Sequence, residues 1–178
     1  MRLVEPSIVP RRLHGAVVIR ALGLVGGLLL LANAGTAAAA APNGVGFDSA
    51  ADVKAQVEAM RHDMKPGQGF MWRPLVRGGE AVAALEYWKT PGKPAVHPAE
   101  AEYVVVIAGG GTMVSGGTME DAKQTNPTLV EGSRIRGGTT RTLRPGDVFL
   151  IPAGTPHWFG ITGERLVLLG TKLPQVQH

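Results

Sequence analysis

The sequence predicts an all-β fold, an antiparallel sandwich or barrel, with one helix in front of it. From Gly69 onward, short runs rich in Val, Ile, Phe, Tyr and Trp alternate with Gly and Pro, a pattern typical of many short strands joined by turns. The chain contains no cysteine, which excludes disulfides, cysteine nucleophiles and thiolate metal sites. A domain without disulfides depends on its hydrophobic core alone, and this favours a compact, closed architecture.

Residues 1–41 are predicted to be a secretory signal peptide. Four arginines and a single acidic residue, Glu5, accompany an apolar run at residues 21–32, and the small residues 33–41 offer several Ala-x-Ala cleavage options. The run is shorter than the ~20 residues that a transmembrane helix needs, so an uncleaved anchor is the weaker alternative. Arg11-Arg12 is a weak candidate for a twin-arginine signal. We expect a periplasmic or secreted protein with no stable membrane insertion after cleavage.

The charge balance changes when this leader is set aside. The whole chain has 18 Lys and Arg against 14 Asp and Glu, a net charge of +4. The leader holds four of the basic residues and one of the acidic ones, so residues 42–178 carry fourteen and thirteen. This near-neutral remainder contains no basic run, and we therefore expect no nucleic-acid partner. Its length suits one domain with a real core.

Residues 42–68 are predicted to be a linker followed by the helix. Asp48 or Ser49 can cap its first turn, and Pro66-Gly67 can end it. Between them, apolar residues recur at helical spacing along one face: Val53, Val57, Met60 and Met64. The predicted role of the helix is structural, as a brace packed on the main body.

Residues 69–178 are the predicted β domain. Eight strands are predicted there, at residues 70–77, 81–89, 102–108, 112–115, 139–143, 148–151, 157–161 and 166–171. The three glycines 109–111 are predicted to form a turn at a strand end. The polar, glycine-rich residues 116–138 are long for a connection, so they are either a functional loop or contain a hairpin around residues 133–136.

One histidine follows closely on a turn signal in the stretch GDVFLIPAGTPHWF, residues 146–159. Pro152 and Gly154 mark the turn, and His157 begins the next strand. Strand alternation places His157 on one face with Phe159 and Ile161. Because these two neighbours are apolar, the sequence predicts that His157 faces inward.

The spacing in this stretch resembles the second signature motif of the cupins, which are small jelly-roll β-barrels. The first motif of that family is His-x-His, three or four residues, Glu, six residues and Gly, and residues 95–109 are similar to it. His97, Glu102 and Gly109 match, whereas Ala95 stands at the position of the first histidine. Ile161 stands where the family often has Asn. The two motifs together cover residues 95–161.

The resemblance implies a cupin-type antiparallel β-barrel with a divalent metal ion inside it. At the positions that match the family's metal-binding residues, the resemblance implies three metal ligands: His97, Glu102 and His157. Imidazole nitrogen and carboxylate oxygen suit Fe, Mn, Ni or Zn. The replacement at Ala95 keeps open the alternative that the site has decayed and binds no metal. The sequence assigns no catalytic residue and no organic cofactor.

A few further residues are weaker candidates. Glu86 could be a fourth ligand or a general base, although an exposed carboxylate is the default interpretation. The aromatic residues Trp72, Tyr87 and Trp88 could line a pocket or pack in the core. Four arginines could recognise an anionic substrate or be solvated surface charges: Arg134, Arg136, Arg141 and Arg144.

Three functions follow as hypotheses. The first is a metal-dependent protein that acts on a small organic molecule, by polarising a carbonyl or hydroxyl group or by activating oxygen if the metal is iron. The second is a non-catalytic module that binds a sugar or phenolic ligand with a degenerate metal site. The third is a purely structural barrel that oligomerises through a sheet, and a homodimer remains open in every case. Fold alone does not choose among them.

Overall fold

The computed structural model of the protein describes residues 44–175. The predicted signal peptide lies outside these residues, so its assignment and the predicted domain boundaries stay predictions. Within the described part of the chain, no helix is both long enough and apolar enough to cross a membrane.

The predicted helix is confirmed as α1, Ala50–Asp63. Ser49 is its N-cap, and a capping box forms because the Ser49 side chain accepts from the backbone N–H of Asp52 while the Asp52 carboxylate accepts from the backbone N–H of Ser49. Its apolar face includes Val57 and Met60, which are both buried. The helix therefore begins where its sequence predicts and packs through the predicted stripe.

The all-β prediction is confirmed, since eleven strands follow the helix within residues 44–175. They are β1 (Phe70–Gly78), β2 (Ala81–Trp88), β3 (Ala95–Val96), β4 (Glu100–Ser115), β5 (Thr118–Glu120), β6 (Lys123–Asn126), β7 (Leu129–Glu131), β8 (Arg134–Arg136), β9 (Thr139–Leu143), β10 (Val148–Ile151) and β11 (His157–Pro174). Two pairs of predicted strands are in fact single long strands: residues 102–108 and 112–115 both belong to β4, and residues 157–161 and 166–171 both belong to β11.

The turn predicted at residues 109–111 is therefore wrong, because β4 runs straight through these glycines. A Cβ on Gly109 would lie 2.1 Å from the carbonyl oxygen of Arg165, and one on Gly111 would lie 2.3 Å from that of Gly160. Gly109 also has a positive φ of 76°. The glycines serve the close approach of β4 to β11, beside a bulge in which residues 163–165 of β11 have no partner.

The long antiparallel pair of β4 and β11 is the centre of the fold. The other edge of β4 pairs with β10 and β9, and the other edge of β11 pairs with β2 and β3. From there the sheet continues to β1 on one side and to β7 and β6 on the other. All these pairs are antiparallel, and within residues 44–175 the hydrogen-bonded ladders do not close into a ring.

Residues 116–138 contain a hairpin, as one of the two alternatives predicted, but β6 and β7 form it, and the predicted position around residues 133–136 is the single strand β8. β5 and β8 pair as a separate two-stranded sheet, and β6 and β7 form a hairpin whose inner strand pairs with β3. This segment is thereby attached to the strand that precedes His97.

The core divides between the two faces of the central sheet. On the inner face, the cluster consists of Val104, Val106, Met113, Leu143, Ile151, Phe159, Leu166 and Leu168. On the outer face, α1 covers a second cluster, made of Val57, Met60, Met64, Leu85, Tyr87 and Val167. Leu166, Val167 and Leu168 alternate between the two clusters, as expected of a strand buried on both sides. A cavity lined by Glu102 and His157 opens beside the inner cluster, with Phe159 common to both.

Candidate metal centre

Three separate elements bring the predicted ligands together. Glu102 lies on β4, two residues before the buried Val104, and so shares its inward face. His157 is the first residue of β11, and Ala95 of β3 is its cross-strand partner. His97 directly follows β3. The predicted inward orientation of His157 is confirmed, since this residue is only 4% exposed.

The donor atoms of these three residues converge on one point. Oε2 of Glu102 lies 3.4 Å from Nε2 of His157 and 3.8 Å from Nε2 of His97. One donor atom from each residue lies within 4.8 Å of the others, and the group could hold a metal ion. Glu102 is 3% exposed, so its carboxylate is shielded from bulk water.

Backbone carbonyls set the orientation of both imidazoles. Nδ1 of His97 lies 3.0 Å from the carbonyl oxygen of Thr128, and Nδ1 of His157 lies 3.1 Å from that of Thr155. A carbonyl can only accept, so each Nδ1 must carry the hydrogen. In the neutral ring Nε2 is then the acceptor nitrogen, and both Nε2 atoms lie within 4 Å of Oε2 of Glu102. Metal-ligating histidines are commonly oriented by such a carbonyl.

His157 is held in its neutral form. Burial lowers the pKa of His157, and this effect outweighs the opposing attraction of the Glu102 carboxylate. A neutral imidazole with a free Nε2 lone pair is the form that ligates metal ions.

A residue that the sequence analysis did not single out also reaches this point. Lys172 lies directly opposite Glu102 across the β4–β11 ladder. Its Nζ is 2.7 Å from Oε2 of Glu102 and 2.7 Å from Nε2 of His97. The approach to Oε2 is an ion pair by distance, but its angles are not those of a hydrogen bond, so this buried oxygen keeps unfilled acceptor capacity.

A second carboxyl group lies on the neighbouring strand. Glu86 on β2 shares the inner face with Trp88, whose indole N–H donates to it over 3.1 Å. Burial in protein, reinforced by the Glu102 charge, raises the pKa of Glu86 to about 7. The default interpretation of Glu86 as an exposed carboxylate is wrong, although part of its surface still faces the cavity.

All these groups line one cavity of about 440 Å³. Its aromatic wall includes Phe70 and Trp88, with ring centroids 4.1 Å apart, and Phe159 lies 6.3 Å beyond Trp88. Ala95 also lines the cavity, and Lys93 pairs there with Glu131 over 3.2 Å. The cavity therefore combines an apolar aromatic wall with a compact polar centre, as small-molecule sites generally do.

The weaker candidates have mixed positions. Trp72 and Trp88 line the cavity, whereas Tyr87 is buried in the cluster beneath α1. The four arginines are exposed and outside the cavity. Arg134 and Arg136 pair with Glu120 across the β5–β8 sheet.

The comparisons with known proteins agree with the motifs. Residues 90–174 match the profile of the family described as "Cupin". They are a cupin domain. The matched range includes all three predicted ligands as well as Lys172. No curated protein matches the chain in sequence.

Solved structures similar to this cupin include a hydroquinone 1,2-dioxygenase in complex with Cd²⁺ and 4-hydroxybenzonitrile, at 13% identity and a TM-score of 0.48, covering 68% of this chain and 75% of that one. A recombinant oxalate oxidase in complex with glycolate has 16% identity and a TM-score of 0.43, and the match covers 63% of this chain and 54% of that one. A predicted oxalate decarboxylase from Thermotoga maritima has 16% identity, a TM-score of 0.43, and coverage of 59% and 80%. The chain thus matches about half the length of the oxalate oxidase.

Proposed function

We propose that this cupin domain binds a divalent metal ion through His97, Glu102 and His157 and acts on a small organic molecule in the adjoining cavity. Fe, Mn, Ni and Zn all suit a set of two imidazole nitrogens and one carboxylate oxygen. When bound, the ion would polarise a carbonyl or hydroxyl oxygen of the substrate, or activate oxygen if it is iron.

The orientation of the two imidazoles is the observation that carries this proposal. Both Nδ1–H groups donate to backbone carbonyls, so both Nε2 atoms are acceptors, and both lie within 4 Å of the same buried carboxylate oxygen. Lone pairs that converge in this way repel one another unless a cation or a proton lies between them. The donor set therefore fits a metal ion in chemistry, in protonation and in position.

The rest of the cavity suits a small substrate with an apolar part. The aromatic wall of Phe70, Trp88 and Phe159 offers a surface for that part. Glu86 places a second carboxyl group on the same wall, fixed by the Trp88 indole. This carboxyl group could hold or accept a proton of a bound molecule.

Metal analysis of the purified protein tests the proposal. The wild type should retain a transition metal, and both His97→Ala and His157→Ala should lose it. His62→Ala is the matched control, because His62 lies on the exposed face of α1, and it should retain the metal. Metal content that is unchanged in both site variants would refute the assignment. Turnover of a substrate, once one is found, should stop on chelation.

A non-catalytic binding module is the second candidate, and two observations favour it. Ala95 replaces one ligand of the cupin pattern, and a lysine ammonium already contacts two of the remaining three. Such a module would bind a sugar or phenolic ligand without a metal ion. Ligand-induced stabilisation that persists in excess chelator would support this function, whereas stabilisation that requires added metal would support the first.

We also propose that the protein is exported to the periplasm or beyond the cell. The support is the pattern of residues 1–41, with its basic start, short apolar run and small-residue end. Mass analysis of the mature protein should show a new N-terminus close to residue 42. A cell-associated protein that keeps residues 1–41 would contradict export by cleavage.

A further inference from the structure

The centre of the cavity brings together more hydrogen-bond acceptors than donors. Nε2 of His97, Nε2 of His157 and Oε2 of Glu102 all accept, and all three face the same small volume. A buried group of acceptors needs a positive charge or a proton within it, because water has little access to Glu102 or His157. In the metal-free protein, a cationic side chain close to these acceptors can supply that charge.

Lys172 supplies it. Its Nζ lies 2.7 Å from two of the three acceptors, Nε2 of His97 and Oε2 of Glu102. Among residues 44–175, the other lysine that lines the cavity is Lys93, and it pairs with Glu131 at the rim. The ammonium of Lys172 thus lies where a metal ligated by His97 and Glu102 would lie.

We propose that the Lys172 ammonium is the resident cation of this centre in the metal-free protein, and that a divalent ion binds by displacing it. This inference rests on the proposed function for the identity of the ligands. It goes further by assigning to Lys172 the control of metal affinity, a role that no ligand motif contains.

The distances show why the two cations exclude each other. The acceptors His97 Nε2 and Glu102 Oε2 are 3.8 Å apart, and Nζ is 2.7 Å from each. An ion bonded to both at the ~2.1 Å typical of such bonds would lie within about 3 Å of Nζ. Two cations that close in a shielded site repel strongly, so Lys172 must leave before the ion is stable.

Lys172 has the means to leave. Its side chain is 34% exposed, against 4% for Glu102, so part of it already contacts solvent. A lysine stem has four flexible carbons and can carry the charge away from a site without any change in the backbone. Displacement therefore needs only a change of side-chain rotamer within the cavity mouth.

A Zn²⁺ titration of the full chain, first freed of metal by chelation, tests the inference. Lys172→Met keeps the stem and removes the charge, so it should bind Zn²⁺ at least about tenfold more tightly than the wild type. Lys172→Arg keeps the charge and should stay near the wild type. Lys93→Met is the matched control, because Lys93 lines the same cavity but pairs with Glu131, and it should change the affinity little.

Acylation of lysine amines in the wild type gives a second measurement that needs no variant. With Zn²⁺ present, the labelling of Lys172 should rise severalfold relative to that of Lys93, because displacement carries its amine into solvent. The proportion of label on each lysine can be read by mass spectrometry. Labelling of Lys172 that stays constant while Zn²⁺ binds would overturn the inference.

The outcomes separate this inference from the proposed function. The inference is overturned if folded Lys172→Met binds Zn²⁺ no more tightly than the wild type. If binding by the wild type still depends on His97 and His157, the proposed metal site is nevertheless supported. Binding by Lys172→Met alone supports the control of metal affinity by Lys172 and overturns the proposed metal-dependent function of the wild type. Binding by neither protein overturns both.

Discussion

Glu102 and Lys172 are direct cross-strand partners on β4 and β11, and Nζ of Lys172 lies 2.7 Å from Oε2 of Glu102. A second lysine–glutamate pair in the same cavity, Lys93 with Glu131, is 3.2 Å apart and far more exposed. The effect of burial on a lysine–glutamate ion pair can therefore be measured within this one protein, by comparing the two pairs.

Glu102→Gln should lower the free energy of unfolding of the metal-free protein by about 1–2 kcal/mol, since it leaves a partly buried ammonium without its counter-charge. The loss is this small because Lys172 is about a third exposed and solvent screens its charge. Glu131→Gln removes the charge of the more exposed glutamate and should change the free energy of unfolding by less than about 0.5 kcal/mol. Urea denaturation in excess chelator measures both, and equal losses would show that burial does not strengthen the Glu102 pair.

Ala95→His should tighten metal binding by about tenfold or more, because it adds an imidazole beside the three candidate ligands. Ala95 lies opposite His157 in the β3–β11 pair and lines the cavity, so its side chain faces the centre. Val96→His is the matched control, since alternation turns the next residue of the strand away. Competition against a chelator of known affinity gives the metal dissociation constants of the two variants. A gain in Val96→His as large as that in Ala95→His would mean that the added imidazole acts from outside the centre.

The stability of the metal-free protein should depend on the ionisation of Glu86. The folded-state pKa of Glu86 is about 7, raised by burial from 4.5. An acid shifted in this direction contributes stability fully below pH 4.5 and loses that contribution as the pH rises through about 7. The wild type should therefore lose stability between these pH values relative to Glu86→Gln, which cannot ionise.

Urea denaturation at several pH values between 4.5 and 8, with chelator present, checks this dependence. Glu80→Gln makes the same chemical change at an exposed position and serves as the control. The difference in unfolding free energy between the wild type and Glu86→Gln should change with pH, whereas the difference between the wild type and Glu80→Gln should not. A constant difference for Glu86→Gln would show that its carboxyl group does not resist ionisation.

Gly111→Ala should destabilise the fold by about 1–3 kcal/mol or more, because its Cβ would meet the Gly160 carbonyl oxygen at 2.3 Å. Gly78→Ala is the control, since a Cβ there meets nothing within 4 Å and Gly78 has no positive φ. Thermal unfolding of the two variants should show a clear drop for the first and little change for the second. A similar melting temperature for both would mean that β4 and β11 can separate at little cost.

The resemblance to the cupin motifs predicted the metal-ligand candidates because the residues of each motif are close in sequence, on adjoining strands and the turn between them. Lys172 was beyond such reasoning. Its contact with Glu102 depends on the register of two strands whose partners are 70 residues apart in sequence, and only the folded ladder fixes that register. The turn predicted at glycines 109–111 was wrong for a related reason. Glycine is required where a second backbone approaches closely, just as it is in many turns, and the sequence does not distinguish the two.

The environment of Glu86 was unpredictable on the same grounds. Glu86 and Trp88 are two residues apart on β2, and both line the cavity. Whether that face meets solvent or a second carboxylate depends on β11, which separates β2 from β4. A single strand shows which residues point the same way, and the neighbouring strands decide what those residues meet.

The turn of the β6–β7 hairpin supplies the carbonyl of Thr128, which holds Nδ1 of His97. One ligand candidate thus takes its orientation from a hairpin that is not part of the central β4–β11 pair. A change in this hairpin would rotate an imidazole at the centre while leaving every ligand residue in the sequence. The orientation of His97 therefore depends on a hairpin that contributes none of the three candidate ligands.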